Sequence, residues 1–427
     1  MQTYSDFVKE AIEQYDKLPQ ETSELYKRHY INIPFDIKNF QNNVDLQVDG
    51  KPEAWIDTLG VKFDAVLRSS DFVIVKPNEF LKIEKAENLN GSANGLYANN
   101  EDKYVSYINA YSDKRVIIDV PDGKSASMNL LLLNSNKPLN TKIVLKLGKG
   151  SKLNLFEYYG SSADKQTALG TIHEINLGDD SYLELDALHN ENSNTLCLGF
   201  CKNRIGNNSH LAYNSVYIGA AHSRVRNVIE AGNKGSRVEV NELIFGSSTQ
   251  KFDINTYIVN AAPNTNASLE SKAALMDSSF CILKGFAKIM RGSTKARSYV
   301  HERGILLDAG AKVYGLPDMS VDENDVKATH SSATSPVDPE SVFYLMSKGI
   351  DEIGVRKLLV TGFFAQSLSK MHNSVMKGLS MSLINTKLEN KSFGGIPKLD
   401  ARNMWVGASD SGETDMFKGH YKYRGAE

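Results

Sequence analysis

A polar turn followed by a serine recurs at a nearly constant interval through the middle of the chain. The four clearest copies end in Ser151, Ser181, Ser209 and Ser236, at intervals of 30, 28 and 27 residues. Glycine, asparagine or aspartate precedes each serine, and alternating apolar residues follow it. A single unit of this size cannot bury its apolar face alone, whereas stacked units form a continuous core. The repeat therefore constrains the fold more than any other feature.

Short strands with Gly, Asn and Ser at regular corners indicate a mainly β fold, namely a β-helix or related stacked-strand solenoid. An antiparallel sandwich is the alternative, and the near-constant unit length favours the solenoid. Helical spacing over residues 4–30 predicts an N-terminal helix whose first segment ends at Pro19. A polar loop over 86–102 precedes strands from about Tyr104. We therefore expect an N-terminal helical or mixed region (1–103), a β-helix core (104–330), a C-terminal helical domain (331–384) and a polar tail (385–427).

Two helices are predicted after the repeat. Asp338 is a suitable N-cap with Pro339 at the first helical position, and Gly349 is suited to a left-handed helix end. Asp351 is the expected cap of a second helix that runs to about Met371. These helices are expected to cap the solenoid.

Composition excludes several classes of protein. The 427 residues are 41% hydrophobic and 23% charged, which is enough for one large core. A net charge of −2 offers no basic surplus for nucleic acid. The apolar run at Leu130–Leu133 is too short to span a membrane, and the N-terminus has no apolar signal segment. The three cysteines are too few for a disulfide framework, so a cytoplasmic protein is expected.

Motifs of common enzymes are absent from the sequence. There is no phosphate-binding loop, no H-E-x-x-H, no nucleophile elbow and no C-x-x-C pair. Cys197 and Cys201 are four residues apart and share one strand face, so they suit a metal only if further ligands exist. The favoured interpretation is that these two residues and Cys281 are buried core residues. A carbohydrate-active β-helix is an alternative, but the face positions Glu184, Tyr213 and Glu239 form no dense acidic ladder.

The segment VKATHSSATSPVDPESVFYLMSKGI, residues 326–350, resembles the signature of the SufB/SufD family of iron–sulfur cluster assembly proteins. The preceding segment from Phe286 adds the FAKI strand, Leu306-Leu307 and the strand Pro317–Val321. The resemblance is specific over about 225–371. It implies a right-handed parallel β-helix with N- and C-terminal helical parts. It also implies a cytosolic scaffold in which SufB and SufD pair through their β-helices, each binds the ATPase SufC through its C-terminal helices, and clusters assemble at the SufB–SufD interface.

The chain is closer to SufD within this family. Glu302 and Ala311 stand where SufB has cysteines, and Ser331 stands where SufB has glutamate. The VKATH segment resembles VKCSH of SufD, with Ala328 in place of cysteine. The resemblance therefore implies a non-enzymatic SufD-like subunit that pairs with SufB and SufC. A SufB-like homodimer and a self-associating structural solenoid are the alternatives.

Two residues are candidate ligands of a transient iron–sulfur cluster, and no stably bound cofactor is expected. His330 offers an imidazole, although a lone histidine among small residues is more often an ordinary surface residue. Glu302 offers a hard oxygen ligand, and its favoured interpretation is a solvated charge paired with Arg303. The candidates for the SufC-binding surface are Phe343, Tyr344, Leu358, Leu359, Phe363 and Phe364. The alternative is that all six side chains pack on the last coil of the solenoid.

Overall fold

The computed structural model describes residues 4–23, 26–27, 29–43, 61–85 and 96–389. The strands in these ranges are β1 (Ala65–Arg68), β2 (Phe72–Ile74), β3 (Leu81–Lys85), β4 (Lys114–Val120), β5 (Ser125–Asn134), β6 (Leu139–Leu147), β7 (Lys152–Ser161), β8 (Thr167–Leu177), β9 (Tyr182–Asn190), β10 (Thr195–Ile205), β11 (His210–Tyr217), β12 (His222–Ala231), β13 (Arg237–Gly246), β14 (Lys251–Asn260), β15 (Asn266–Leu275), β16 (Phe280–Ile289), β17 (Arg297–Leu306), β18 (Lys312–Gly315), β19 (Asp318–Val321) and β20 (Lys327–Pro336). The α-helices are α1 (Tyr4–Lys17), α2 (Lys103–Tyr111), α3 (Pro339–Ser347), α4 (Glu352–Lys370) and α5 (Ser374–Leu388), and a 3₁₀ helix spans Ile37–Asn42.

The strands form two sheets between which the chain alternates. The first sheet has the order β2-β1-β5-β7-β9-β11-β13-β15-β17-β20, and the second has the order β18-β16-β14-β12-β10-β8-β6-β4-β3, with β19 also paired to β16. Pairing from β4 and β5 onward is parallel, and the β1–β2 and β3–β4 pairs are antiparallel. The predicted β-helix is thus confirmed as a parallel β-solenoid of about eight turns.

The repeated turn has a simple backbone explanation. The residue before each of the four serines has a left-handed conformation, with φ of 64° at Gly150, 57° at Asp180, 54° at Asn208 and 73° at Gly235. Glycine, asparagine and aspartate adopt this conformation at the lowest cost. The serine that follows is buried, and Ser151 Oγ, for example, donates to the Gly148 carbonyl at 2.8 Å. Each of these four corners therefore combines a left-handed residue with a buried serine.

Apolar side chains fill three layers. The solenoid interior is packed by inward-facing residues of both sheets, among them Leu130, Leu155 and Leu185. The outer face of the second sheet is covered by α1, α2 and the 3₁₀ helix. The outer face of the first sheet is covered by α4 and α5. Because both outer faces are partly covered, the strands lack a simple polar and apolar alternation.

The strands predicted from about Tyr104 begin later in the structure. Residues Lys103–Tyr111 form α2, and the first parallel strand, β4, starts at Lys114. Asp102 caps α2 by accepting from the Tyr104 amide at 2.7 Å. Tyr107 and Ile108 bury the helix against the second sheet. The expectation of strand at this point is therefore wrong, because tertiary burial of these residues on a helical face outweighs their preference for strands.

The predicted C-terminal helix signals are confirmed. Asp338 accepts from the amides of Glu340 and Ser341, and Asp351 accepts from the Gly354 amide. Gly349 has φ of +88°. A third helix, α5, was not predicted and continues past the expected boundary at 384. Residues 390–427 of the predicted tail and 86–95 of the predicted loop lie outside the described residues, and the domain boundaries remain predictions. No helix in the described part of the chain has the length and apolar character needed to cross a membrane.

Candidate functional site

The solenoid ends in an edge strand that carries His330. Strand β20 is ten residues long and pairs with β17 on one side, and no other described strand adds to its second side. Most of its residues are exposed. Lys327 N and Val337 N donate to carbonyls of the β17 coil, so the odd-numbered residues bond inward. The amides and carbonyls of the even-numbered residues, including His330, therefore face the open edge.

The His330 side chain lies on the interior face of this last strand. It is paired in register with Val300, which is fully buried in the solenoid core. In a parallel ladder, residues at the same register position point to the same face. His330 is nevertheless exposed, because β20 is the last strand of its sheet and no further coil among the described residues lies over its imidazole.

Glu302 lies on β17, beneath the end of the solenoid and on the same face as His330. It is 1% exposed, and its Oε1 accepts from the Gly285 amide at 2.6 Å. Burial raises the pKa of its carboxyl group to about 9. The expected solvated charge paired with Arg303 is therefore wrong, because Glu302 points inward whereas the exposed Arg303 lies on the opposite face of the strand. Near neutral pH Glu302 is a neutral acid, and it must lose its proton before it can bind iron.

The neighbouring His301 belongs to the outer face. Its Nδ1 lies within hydrogen-bond distance of the Tyr299 hydroxyl and 3.4 Å from Ser331 Oγ. Partial burial, together with the nearby Arg303, lowers the pKa of His301. The two histidines therefore lie on opposite faces of adjacent strands, and the structure does not bring them into one site.

The helix pair after β20 exposes several large apolar side chains. Phe343 and Tyr344 on α3 are 75% and 60% exposed, and Leu358 on α4 is 52% exposed. Helix α3 buries none of its own residues. Met346 and Ile353 extend the same pair of helices with further exposed apolar area. Sequence reasoning did not identify Ile353, because this residue lies outside the apolar stripe that begins at Val355.

The other three surface candidates lie deeper. Leu359 and Phe363 are half-buried, and Phe363 packs against the cluster between the first sheet and the C-terminal helices. Phe364 is fully buried in that cluster. We therefore define the exposed helical face as Phe343, Tyr344, Met346, Ile353 and Leu358.

The remaining sequence candidates are internal. Cys197, Cys201 and Cys281 are buried and free, as predicted. Glu184 and Glu239 share one column with Ala212 between them, and Tyr213 belongs to the opposite face, so the predicted alternation of these three residues is wrong. Glu184 is buried and hydrogen-bonded to His372, whereas Glu239 is paired with Arg237.

Comparison with known proteins agrees with these features. The family model described as "SUF system FeS cluster assembly, SufBD core domain" matches residues 131–363, from β5 of the solenoid into α4. Iron–sulfur cluster assembly protein SufD of Bacillus subtilis (strain 168) is 26% identical over 155 residues, 36% of each chain. A SufBD family protein of Mycobacterium tuberculosis is 27% identical over 186 residues, 42% of this chain and 47% of the relative.

SufD of Escherichia coli (strain K12) is similar over a longer stretch, with 21% identity over 246 residues. This stretch covers 57% of this chain and 58% of the relative. The matched parts thus span between about a third and somewhat over half the length of these curated relatives. The family model covers more than half of the present chain and includes both the edge strand and most of the helix pair. The chain therefore belongs to the SufBD family of the SUF system for iron–sulfur cluster assembly.

Proposed function

We propose that this chain is a SufD-like scaffold subunit, rather than an enzyme, that pairs with a SufB-like chain and binds a SufC-like ATPase in the cytoplasm. An iron–sulfur cluster would be its cargo and would assemble at the junction of the two solenoids. The observation that carries the proposal is the open edge of β20, which bears His330 and leads directly into the exposed helical face.

The edge of β20 supports a strand-to-strand contact. An unpaired edge of this length offers a row of hydrogen-bond donors and acceptors that another strand can satisfy. Apart from His330, the residues from Ala328 to Ser335 are alanine, serine and threonine, and these small side chains leave room for a close approach of a second backbone. His330 would then lie beside the partner strand, because its main chain faces the open edge.

The exposed helical face supports the contact with the ATPase. Its five side chains are apolar or aromatic and lie on neighbouring helices, and the enrichment of such residues is typical of the buried centre of an interface. Burial of α4 against the first sheet, through Val360 and Phe364, would couple movement of the ATPase to the solenoid.

The ligands available for the cluster support a shared site. The three cysteines of this chain are buried, so His330 is the exposed one of the two candidate iron ligands, His330 and Glu302. One imidazole does not hold a cluster alone, and the thiolates would come from the SufB-like partner. This division of ligands favours a heterodimer over a homodimer.

Co-purification from the native host tests the proposal. We expect SufB-like and SufC-like chains to elute with the full-length protein, and iron and sulfide to appear when cluster assembly is supported. Recovery of a homodimer that ignores both chains would contradict the proposed role and would favour the self-associating solenoid.

A further inference from the structure

Three potential metal ligands meet inside the solenoid, remote from β20. His189 is near the end of β9, Glu191 follows it in the turn, and Cys197 lies on β10. Their exposed fractions are 4%, 1% and 1%. One donor atom from each lies within 4.8 Å of the others. The cluster combines a nitrogen, an oxygen and a sulfur donor and is buried, whereas an acidic surface patch offers only exposed carboxylate oxygens.

The separations of the three donor atoms suit a small tetrahedral ion. His189 Nδ1 is 3.0 Å from Glu191 Oε1 and 3.6 Å from Cys197 Sγ. Zinc bonds of about 2.0–2.1 Å to nitrogen and about 2.3 Å to sulfur separate those two donors by roughly 3.6 Å in a tetrahedron. The three side chains therefore need little movement to converge on one ion.

Two polar atoms beside the cluster are buried without a well-formed hydrogen bond in the described part of the chain, and the Cys197 thiol interacts with both of their side chains. Glu191 Oε2 is buried and accepts no hydrogen bond there. Ser223, paired in register with Cys197 on the next strand, has an equally unsatisfied buried Oγ. Unsatisfied buried polar atoms are costly, and a bound ion with a water as its fourth ligand satisfies both. A buried carboxylate also needs a positive partner, which a divalent cation supplies.

The imidazole of His189 is held in a fixed plane. The ring stacks between Tyr159 and Tyr217, with centroids 4.0 and 4.5 Å away. These three residues occupy one register column on β7, β9 and β11. The stack directs Nδ1 toward Glu191 and Cys197, and such fixed orientation of a ligand favours metal binding.

We propose that His189, Glu191 and Cys197 bind one divalent transition-metal ion, with Zn²⁺ preferred, inside the solenoid. Mixed nitrogen, sulfur and oxygen donors suit Zn²⁺ better than Mg²⁺ or Ca²⁺, which prefer oxygen alone. The site lies away from the partner surfaces, so the proposal goes beyond the proposed function. Because the ligands are buried, the ion enters as the chain folds and ties the turn after β9 to β10.

Growth in zinc- or cobalt-supplemented medium tests this site in the untagged full-length chain. We expect about one zinc or cobalt ion per chain by mass spectrometry, and a thiolate-to-cobalt charge-transfer band in the cobalt form. X-ray absorption of the wild-type metal form should show one sulfur neighbour and otherwise nitrogen or oxygen. Protein without metal, or an ion without a sulfur neighbour, overturns the proposal.

Matched variants locate the site. Cys197→Ser is expected to abolish the charge-transfer band, and Cys201→Ser, which changes another buried cysteine on the same face of β10, should retain it. His189→Gln is expected to lose the metal, whereas His173→Gln, at the buried His173–Glu157 pair, should keep it. Equal metal content in all four variants overturns the proposal. If a variant does not fold, the absorption spectrum of the wild-type protein still decides.

Discussion

Val300 and His330 occupy the same register position on adjacent strands, yet Val300 is fully buried and His330 is exposed. The difference arises because β17 has a strand on each side, whereas β20 is the last strand of its sheet. A residue that would be core in any earlier coil thus becomes accessible at the end of the solenoid. The candidate site is therefore accessible because the solenoid ends at β20, and no separate loop is needed to expose His330.

The first prediction concerns the open edge of β20. Thr334→Pro removes an amide that faces the edge and leaves the inward bonds to β17 intact. We expect binding of the SufB-like partner to weaken by about tenfold, since one hydrogen bond is lost and the proline ring blocks approach. Sedimentation or calorimetry of the purified pair measures this change. The control Thr334→Ala keeps the amide and should bind normally, and equal binding by both variants would show that the edge is not used.

The second prediction concerns His330. His330→Ala should fold as the wild type does, because the side chain is exposed, but it should lower cluster yield by about tenfold in a reconstituted assay with the partner chains. Iron and sulfide per complex are the readouts. His29→Ala changes another exposed histidine, distant in sequence from β20, and should have no effect. Full cluster yield with His330→Ala would remove the proposed ligand role.

The third prediction concerns the exposed helical face. Phe343→Asp is expected to weaken binding of the SufC-like ATPase by about 2 kcal/mol, or roughly 30-fold, if the ring is a central anchor. Since α3 buries none of its residues, the free chain should keep its stability. Val75→Asp, at an exposed apolar residue near the N-terminal end of the first sheet, is the control. Unchanged affinity in both variants would exclude Phe343 from the contact.

Much of the solenoid was predictable because its repeat is local. The left-handed residue and the buried serine recur at four successive corners, so a pattern of a few letters indicates where those strands end. The caps Asp338 and Asp351 were equally predictable, because a capping side chain bonds to amides two or three residues away. Helix α2 was not predictable in this way, since Tyr104 and Tyr107 suit either structure and only packing on the second sheet decides.

The sequence names candidate residues for the site, but it does not give their environments. His330 could be identified from the resemblance, whereas the burial of Glu302 depends on which face of β17 turns inward and on the coil above it. The cluster at His189, Glu191 and Cys197 joins a strand end, a turn and the next strand. Its only sequence signal is the short spacing of the three ligands, which does not reveal that their side chains converge.

The last prediction follows from the buried acid beneath the site. Glu302 has a pKa of about 9 in the folded chain, against an ordinary value of 4.5. Between these values the unfolded chain has released a proton that the folded chain still holds. The contribution of Glu302 to stability is therefore fully present below about pH 4.5, falls as pH rises, and is lost by about pH 9.

Glu302→Gln removes this dependence and retains an oxygen that can accept from the Gly285 amide. We expect the free energy of unfolding of the variant, minus that of the wild type, to increase by about 1 kcal/mol for each pH unit between 6 and 8. Urea unfolding of both proteins at three pH values measures this difference in the free energy of unfolding. Glu79→Gln, which makes the same substitution at an exposed residue, is the matched control for the change of side chain. A constant difference for Glu302→Gln would mean that Glu302 is already ionised in the folded chain at these pH values and is not the neutral acid inferred from its burial.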